Sequence, residues 1–395
     1  MQMRQSHERP HMRSWPLRLE KRPQPSAAMR IAAPVVAAIA MLATGFIVFS
    51  ALGKDPLAAL HAFFIAPINS SYGIGELLLK ATPLLLCALG LAVGFRSNVW
   101  NIGAEGQFTM GAIAGGGVAL FWASKLGSFA MPVMLIAGML GGMAWAVIPA
   151  FLRTRFHTSE ILVSLMLVYI SQLYLSYLLH SSWRDPAGYN FPQSQSFEDN
   201  VVLPVLFEGG RANIAFIIGL VLAALSWFFM SKSFAGYRML VAGLAPDAAA
   251  YAGFSEKKNI WLALLISGAT AGLAGIAEVA GPIGRLQTSI SPGYGFAAII
   301  VAFVGRLHPF GIVLASLLMA LLYIGGESVQ LELQLPAAIT GLFQGTLLFY
   351  LLAADLFVGF RLRRVAALLT LPRSREEEDG AACLKPQASS PQPPA

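Results

Sequence analysis

Charge is what this sequence has least of. Lys, Arg, Asp and Glu make up 12% of its 395 residues, about half the share found in ordinary soluble domains. A water-facing surface cannot be built from that remainder, which excludes a soluble globular protein. Cysteine is nearly absent too. Of the two present, Cys87 falls in an apolar run and Cys383 in a polar C-terminal stretch, so no disulfide is expected between them. The six histidines are scattered and none is spaced with another as a metal ligand. The chain also lacks a Walker A loop, an HExxH, a GxSxG and the paired aspartates of prenyl-modifying enzymes. No enzyme constellation, cofactor or metal site is expected.

What remains is apolar. Hydrophobic residues are 56% of the chain and the mean hydropathy is +0.65. They cluster in runs near the length of about 20 residues that a helix needs to cross a hydrocarbon core of about 30 Å. Ten such runs are read, at 31–52, 75–95, 99–122, 131–152, 159–180, 213–231, 259–281, 293–305, 309–325 and 336–357. The expected fold is an all-α polytopic membrane protein with about ten spanning or re-entrant helices. The run 293–305 is too short to cross alone and is expected as a half-helix or re-entrant piece buried against protein. The stretch Ile31–Leu52 exceeds the apolar region of a secretory signal, so it is expected as an uncleaved first span.

The net charge of +7 invites a nucleic-acid partner, but its placement argues against one. Seven basic residues lie in the first thirty positions, and five more (Arg361, Arg363, Arg364, Arg373, Arg375) lie near the other end. Alternating the spans from an inside N-terminus puts Arg96, Arg153, Arg155, Lys232, Arg238, Lys257, Lys258 and Arg306 inside. Only Lys54, Lys125, Arg184, Arg211 and Arg285 then fall outside. That is the positive-inside asymmetry, and it places both termini on the inner side. The expected division is a basic inner tail over 1–30, a membrane domain over 31–360, and a polar, disordered inner tail over 361–395. Within the membrane domain, 181–212 is an outer loop and 232–258 the largest inner loop. Spans 75–180 and 259–357 each hold four apolar elements with a glycine-rich second one (NIGAEGQF and SPGYGF). In this topology they run in opposite directions, as an inverted repeat would.

Few polar residues fall inside the spans. Asn101, Glu105 and Gln107 sit at the start of the third run, threaded with glycine. A mid-membrane carboxylate costs about 2.5–3.5 kcal/mol on insertion scales and usually faces a cavity or bundle interior. Asn101 and Glu105 share a helical face. Two roles fit this spacing equally: a helix lining a translocation path, or a polar cluster locking two spans together. Glu160 and Ser164 share a face near the inner end of the fifth run, with Tyr169 deeper, and Glu278 lies within the seventh. All are candidates for a pathway. Glu76 and Lys80 are spaced as an i,i+4 pair and read as structural. In the inner loop, Pro246 suits a first helical turn, the alanines favour helix, and Gly253 suits a C-terminal cap. The result is a short helix within 243–253, including Gly243, Asp247, Ala250 and Tyr251, which on its own fits an interfacial helix without a partner, though its small surface is better suited to docking into a protein groove than to sinking in lipid.

The segments NIGAEGQ, then Ser159-Glu160-Ile161 with SLMLVY, then GLAPDAAAYAG resemble the permease subunits of bacterial nucleoside and simple-sugar ABC importers, relatives of the ribose and branched-chain amino-acid permeases. The resemblance runs from about residue 30 to 360. It implies a permease dimer, here a heterodimer with a shorter paralogue, with the solute path at the interface. It further implies that 243–254 is the coupling helix on a cytoplasmic ATP-binding subunit, and that a periplasmic or lipid-anchored binding protein delivers the solute. Where members often read LMLNY this chain has Val168, a change affecting either the solute preference or a helix contact. The rival from another class is an ion-coupled secondary transporter, favoured by the membrane carboxylates Glu105 and Glu278.

Overall fold

The computed structural model of the chain describes residues 17–21 and 27–364. Most of the basic N-terminal tail and the polar tail beyond 364 lie outside the described residues. In chain order the elements begin with strand β1 (Leu17–Lys21), α1 (Ala27–Ala51), α2 (Pro56–Phe64), α3 (Ser71–Arg96), α4 (Ala104–Phe121), α5 (Ala123–Leu126), α6 (Ala130–Phe156) and α7 (Glu160–His180). They continue with α8 (Ala215–Lys232), α9 (Phe234–Leu244), α10 (Pro246–Tyr251), α11 (Glu256–Glu278), α12 (Tyr294–Val304), α13 (Pro309–Leu333), α14 (Ala338–Gly359) and strand β2 (Phe360–Arg364).

Each of the ten apolar runs is largely helical, and among the described residues six helical stretches are long and apolar enough to cross a membrane. The regular elements of the main body are all helices, with non-helical stretches over 181–214 and 284–293. The departure from an all-α chain is that β1 and β2 pair antiparallel, with Leu17 opposite Arg364 and Lys21 opposite Phe360. That pair belongs to a small unit formed by the described residues before 34 and after 351, distinct from the main body over 34–351.

Three boundaries correct the sequence reading. The run at 99–122 becomes helix only at Ala104, because residues 97–103 form a linker tied down by side-chain hydrogen bonds. The inner loop 232–258 holds two helices, α9 and α10, broken at Ala245 ahead of Pro246. The residue before a proline is driven out of helical geometry, and Ala245 sits at φ −147°, ψ 77°. Gly243 therefore belongs to α9, where a side-chain carbon would meet the Arg96 carbonyl at 2.1 Å. Finally, α13 runs on to Leu333, past the expected 325.

The main body is organised around α3 and α11, which pack on each other. Helix α3 also packs on α12 and α13, and α11 correspondingly on α4 and α6. Small residues permit this. A methyl placed at Gly111 of α4 would lie 2.2 Å from Gly272 Cα of α11, so the two backbones touch, as at small-residue crossings in membrane bundles. Helix α7 lies outside on α4, and α8 on α3. At the far end from Arg96, residues 181–214 hold no helix but are folded against the chain after α11. Ser194 N–H donates to Leu286 O (2.9 Å), Phe197 N–H to Gly284 O (2.8 Å) and Leu203 N–H to Ala280 O (3.0 Å). Val201 and Leu203 are buried beneath this cover.

Candidate functional site

The linker 97–103 and the first turn of α4 carry the expected polar residues, which the structure divides into two groups. Asn101 and Gln107 are buried and face each other. Asn101 Nδ2 donates to Gln107 Oε1 (2.7 Å) and to Ser267 Oγ of α11 (2.8 Å). Asn101 Oδ1 accepts from Gln107 Nε2 (3.2 Å) and the Gly103 N–H (3.1 Å). An amide has two donors and two strong acceptor positions, and at Asn101 all four are used. A group so satisfied fastens the linker to α11.

Glu160 and Ser164 hold the same linker from α7. The Glu160 carboxylate pairs with Arg153 and accepts the Trp100 N–H (3.4 Å), while the Trp100 ring lies 5.0 Å from Phe95 and 5.9 Å from Phe303. Ser164 is buried on Gly103, where a side-chain carbon would meet its Cβ at 2.7 Å. Val168 is likewise buried on Gly106, whose added carbon would lie 3.0 Å from Val168 Cα. Val168 thus takes part in the contact between α7 and α4. Tyr169 is exposed on the outer face of α7.

Glu105 stands apart from these. It is 2% exposed, and its Oε2 accepts the N–H of Gly295 at 2.6 Å, in the first turn of α12. The two helices meet backbone to backbone here, since a side-chain carbon at Gly295 would lie 2.3 Å from the Glu105 nitrogen. With 11 residues, α12 is about 16 Å long, half the thickness of a hydrocarbon core. Glu105 lines a polar cavity of about 250 Å³ with Thr109, Gln172, Thr288, Ser289 and Ser291. The N–H groups of Ser289, Ile290 and Ser291 make no hydrogen bond to another described group, while the Thr288 N–H belongs to the antiparallel bridge between Gln193 and Gln287. Backbone donors without a protein partner must be met by water or by a ligand.

On its other side the 289–292 segment borders a second cavity, of about 300 Å³, which contains Glu278 with Glu76, Lys80 and Arg211. The pair expected between Glu76 and Lys80 is not formed. Lys80 instead bonds Glu327 of α13 (2.6 Å), and Glu76 pairs with Arg211 (3.4 Å). Partners distant in sequence win because both side chains reach facing elements and not along α3. Among the described residues no group of three metal-ligating side chains occurs.

Sequence reasoning missed Thr109, Gln172, Ser267 and Ser291. Thr109 is four residues from Glu105 and hence on its face, and Gln172 is a lone amide in an apolar helix, so both left a signal. Ser267 and Ser291 left none, being defined only by what folds against them.

At the Arg96 end, α10 is exposed apart from Ala249. Pro246 occupies its first turn. Its C-terminus is closed by Gly253 at φ +76°, with Gly253 N–H on Ala250 O and Phe254 N–H on Ala249 O, the paired bonds of a Schellman cap. Asp247, Ala250 and Tyr251 lie on its open surface, Tyr251 at 97% exposure.

Residues 73–352 match the family described as branched-chain amino acid transport system / permease component. The chain is 34% identical to the glucose ABC transporter permease protein TsgB13 of Haloferax volcanii, over 87% of this chain and 93% of that one. It is 31% identical to the guanosine ABC transporter permease protein NupP of Bacillus subtilis, over 78% and 88%. With the nucleoside ABC transporter permease protein NupB of Lactococcus lactis it shares 30% identity, over 76% and 85%. Each of these organisms also has a second, less similar permease matching this chain. No solved structure matches. The chain thus belongs to the branched-chain amino acid transport system permease family, and is a multi-pass permease subunit of an ABC transporter in the cytoplasmic membrane.

Proposed function

We propose that this permease carries an uncharged, polyhydroxylated solute, a nucleoside or a simple sugar, into the cell through a path that includes the Glu105 cavity. The observation that carries this reading is the wall of that cavity. Unpartnered N–H groups over 289–291 stand beside hydroxyls and an amide, Thr109, Ser289 and Gln172. Such a wall offers many donors and acceptors and suits hydroxyl groups. The solutes named for the three relatives, glucose, guanosine and nucleosides, are of this kind. Asn101, Gln107, Glu160 and Ser164 hold the linker that positions Glu105, and Glu278 belongs to a second cavity along the same path.

The partner is a second, different permease, as the paired relatives in three organisms support. The exposed stripe Leu162, Met166, Tyr169, Leu173 and Tyr177 of α7 is the surface assigned to it. Both termini are cytoplasmic, with the end bearing Arg96, Arg153, Arg238, Lys257 and Arg306 on the inner side. There α10 docks on the ATP-binding subunit, which performs the hydrolysis, while a periplasmic or lipid-anchored protein supplies solute outside. Family membership removes the support for an ion-coupled carrier.

The test is purification of the tagged permease in mild detergent, followed by uptake of labelled guanosine and glucose into proteoliposomes holding the recovered complex and its binding protein. Co-purification of an ATPase and a second permease, with ATP-dependent uptake of one of these solutes, is expected. A permease recovered alone that accumulates solute under an ion gradient without ATP would overturn the reading.

A further inference from the structure

The N-terminus of a half-length helix inside a membrane is a ready seat for an anion, because its first N–H groups lack helical acceptors and its dipole is positive there. In transporters built on broken helices, such termini point at the anionic groups of solutes. Helix α12 is such a helix, but its seat is taken by the protein itself. The Gly293 and Tyr294 N–H groups donate to Ser291 Oγ (3.0 and 2.9 Å), and the Gly295 N–H to Glu105 Oε2 (2.6 Å). The Phe296 N–H turns back to Gly293 O (3.1 Å). The Ser291 hydroxyl faces the Glu105 carboxylate as well. No donor of the first turn is left for a solute, and the place complementary to the dipole is already filled by the Glu105 carboxyl group.

We propose that Glu105 is the charge filter of the permease: by occupying the anion seat of α12 at the cavity wall, it restricts transport to neutral solutes and refuses their carboxylate- or phosphate-bearing relatives. This rests on the reading that the Glu105 cavity lies on the solute path. The geometry argues beyond simple capping. Ser291 already serves two N–H groups from its own chain, as an ordinary cap does. Glu105 comes from a different helix 190 residues away in sequence and borders the open cavity at the same time. An approaching anion would meet a carboxylate where a bare helix terminus would have attracted it.

The experiment uses the purified complex of permease and ATPase, without binding protein, so that the permease alone is probed. Saturation-transfer NMR compares guanosine with guanosine monophosphate and glucose with glucuronate, on the wild type and on Glu105→Ala. In parallel, acetate is titrated against the melting temperature of both. The wild type is expected to bind the neutral member of one pair only and to ignore acetate. Glu105→Ala is expected to bind the anionic member on the order of tenfold more tightly than the wild type does, the worth of one partly buried charge at a helix terminus. Its melting temperature should rise with acetate and saturate. Glu105→Ser, which keeps a hydroxyl for Gly295, replaces it if the alanine variant does not survive purification. Binding of an anionic member by the wild type, or an acetate response no larger in the variants than in the wild type, would overturn the filter. Wild type that binds neither neutral solute while the variants respond to acetate would overturn the solute class and leave the assignment of the anion seat standing.

Discussion

Asn101→Ala separates the two roles that the NIGAEGQ segment allows. In the structure the substitution removes four hydrogen bonds at once and leaves three partners buried: the Gln107 amide, Ser267 Oγ and the Gly103 N–H. Each buried polar group without a partner costs about 1–3 kcal/mol. A water entering the vacated space recovers part of this, so the expected loss of stability is roughly 3–5 kcal/mol. Gln107→Ala is milder, roughly 1–3 kcal/mol, because Asn101 keeps Ser267 and Gly103. The informative quantity is the double variant. With both amides gone there is no orphaned Gln107, so the two losses overlap and the double variant is more stable than their sum by about 1–3 kcal/mol. The assay is unfolding in mixed micelles of increasing denaturing detergent, followed by tryptophan fluorescence, for the wild type and the three variants. Coupling below about 0.5 kcal/mol, the level of independent sites, would refute the latch. So would an Asn101→Ala protein that is fully stable but has altered solute affinity, as a residue lining the path would give.

Three further outcomes test other contacts. Gly111→Val should destabilise the bundle by about 1–3 kcal/mol through overpacking, since its Cβ would lie 2.2 Å from Gly272 Cα with backbone on both sides. Thermal unfolding in detergent checks it, and an unchanged midpoint would contradict the close crossing. Tyr251→Ala on the open surface of α10 should change stability by no more than about 0.5 kcal/mol and yet reduce ATPase recovery in pull-down. Full recovery with intact solute-stimulated hydrolysis would remove α10 from the ATPase interface. Arg211→Ala removes the ties to Glu76 and to Pro282 O (3.4 Å), so hydrogen exchange over 204–214 should accelerate, and unchanged exchange would show these ties to be idle.

The long helices were legible in the sequence because an apolar run of about 20 residues calls for a helix, and each of the ten runs is largely helical, whereas the short helices α2 and α9 lie outside those runs and were not foreseen. The cap and first turn of α10 were legible too, since Pro246 and Gly253 act through their own backbone geometry. Side-chain partnership was not. Nothing local told Lys80 to choose Glu327 over Glu76, or Asn101 to reach Ser267, because those choices depend on which faces of α3, α11 and α13 are brought together. Spacing identified Glu105 and Asn101 as sharing a helical face, but the helix starts between them at Ala104. The linker then turns Asn101 into α11 and leaves Glu105 at the cavity.

That break makes a comparison inside one molecule. Two non-helical segments lead into helices that meet at Glu105 and Gly295, and they differ in how firmly they are held. In 97–103, the N–H groups of Ser97, Asn98, Val99, Trp100 and Gly103 all have acceptors, on Gly94, Phe95, Gly94, Glu160 and Asn101. In 289–291 none has a described acceptor, although the segment follows a pinned stretch, with Leu286 N–H on Ser194 Oγ at 2.9 Å and Gln287 bridged to Gln193. Local opening is cheapest where few hydrogen bonds and few buried contacts must be broken. Amide exchange measured by mass spectrometry on the detergent-solubilised complex should therefore be faster over 289–291 than over 97–103. Addition of a transported solute should slow the first and leave the second unchanged, because only the first has donors to give. Equal protection of the two segments would mean that water or packing secures 289–291 as well as side chains secure the linker. The cavity wall would then be as rigid as the latch behind it.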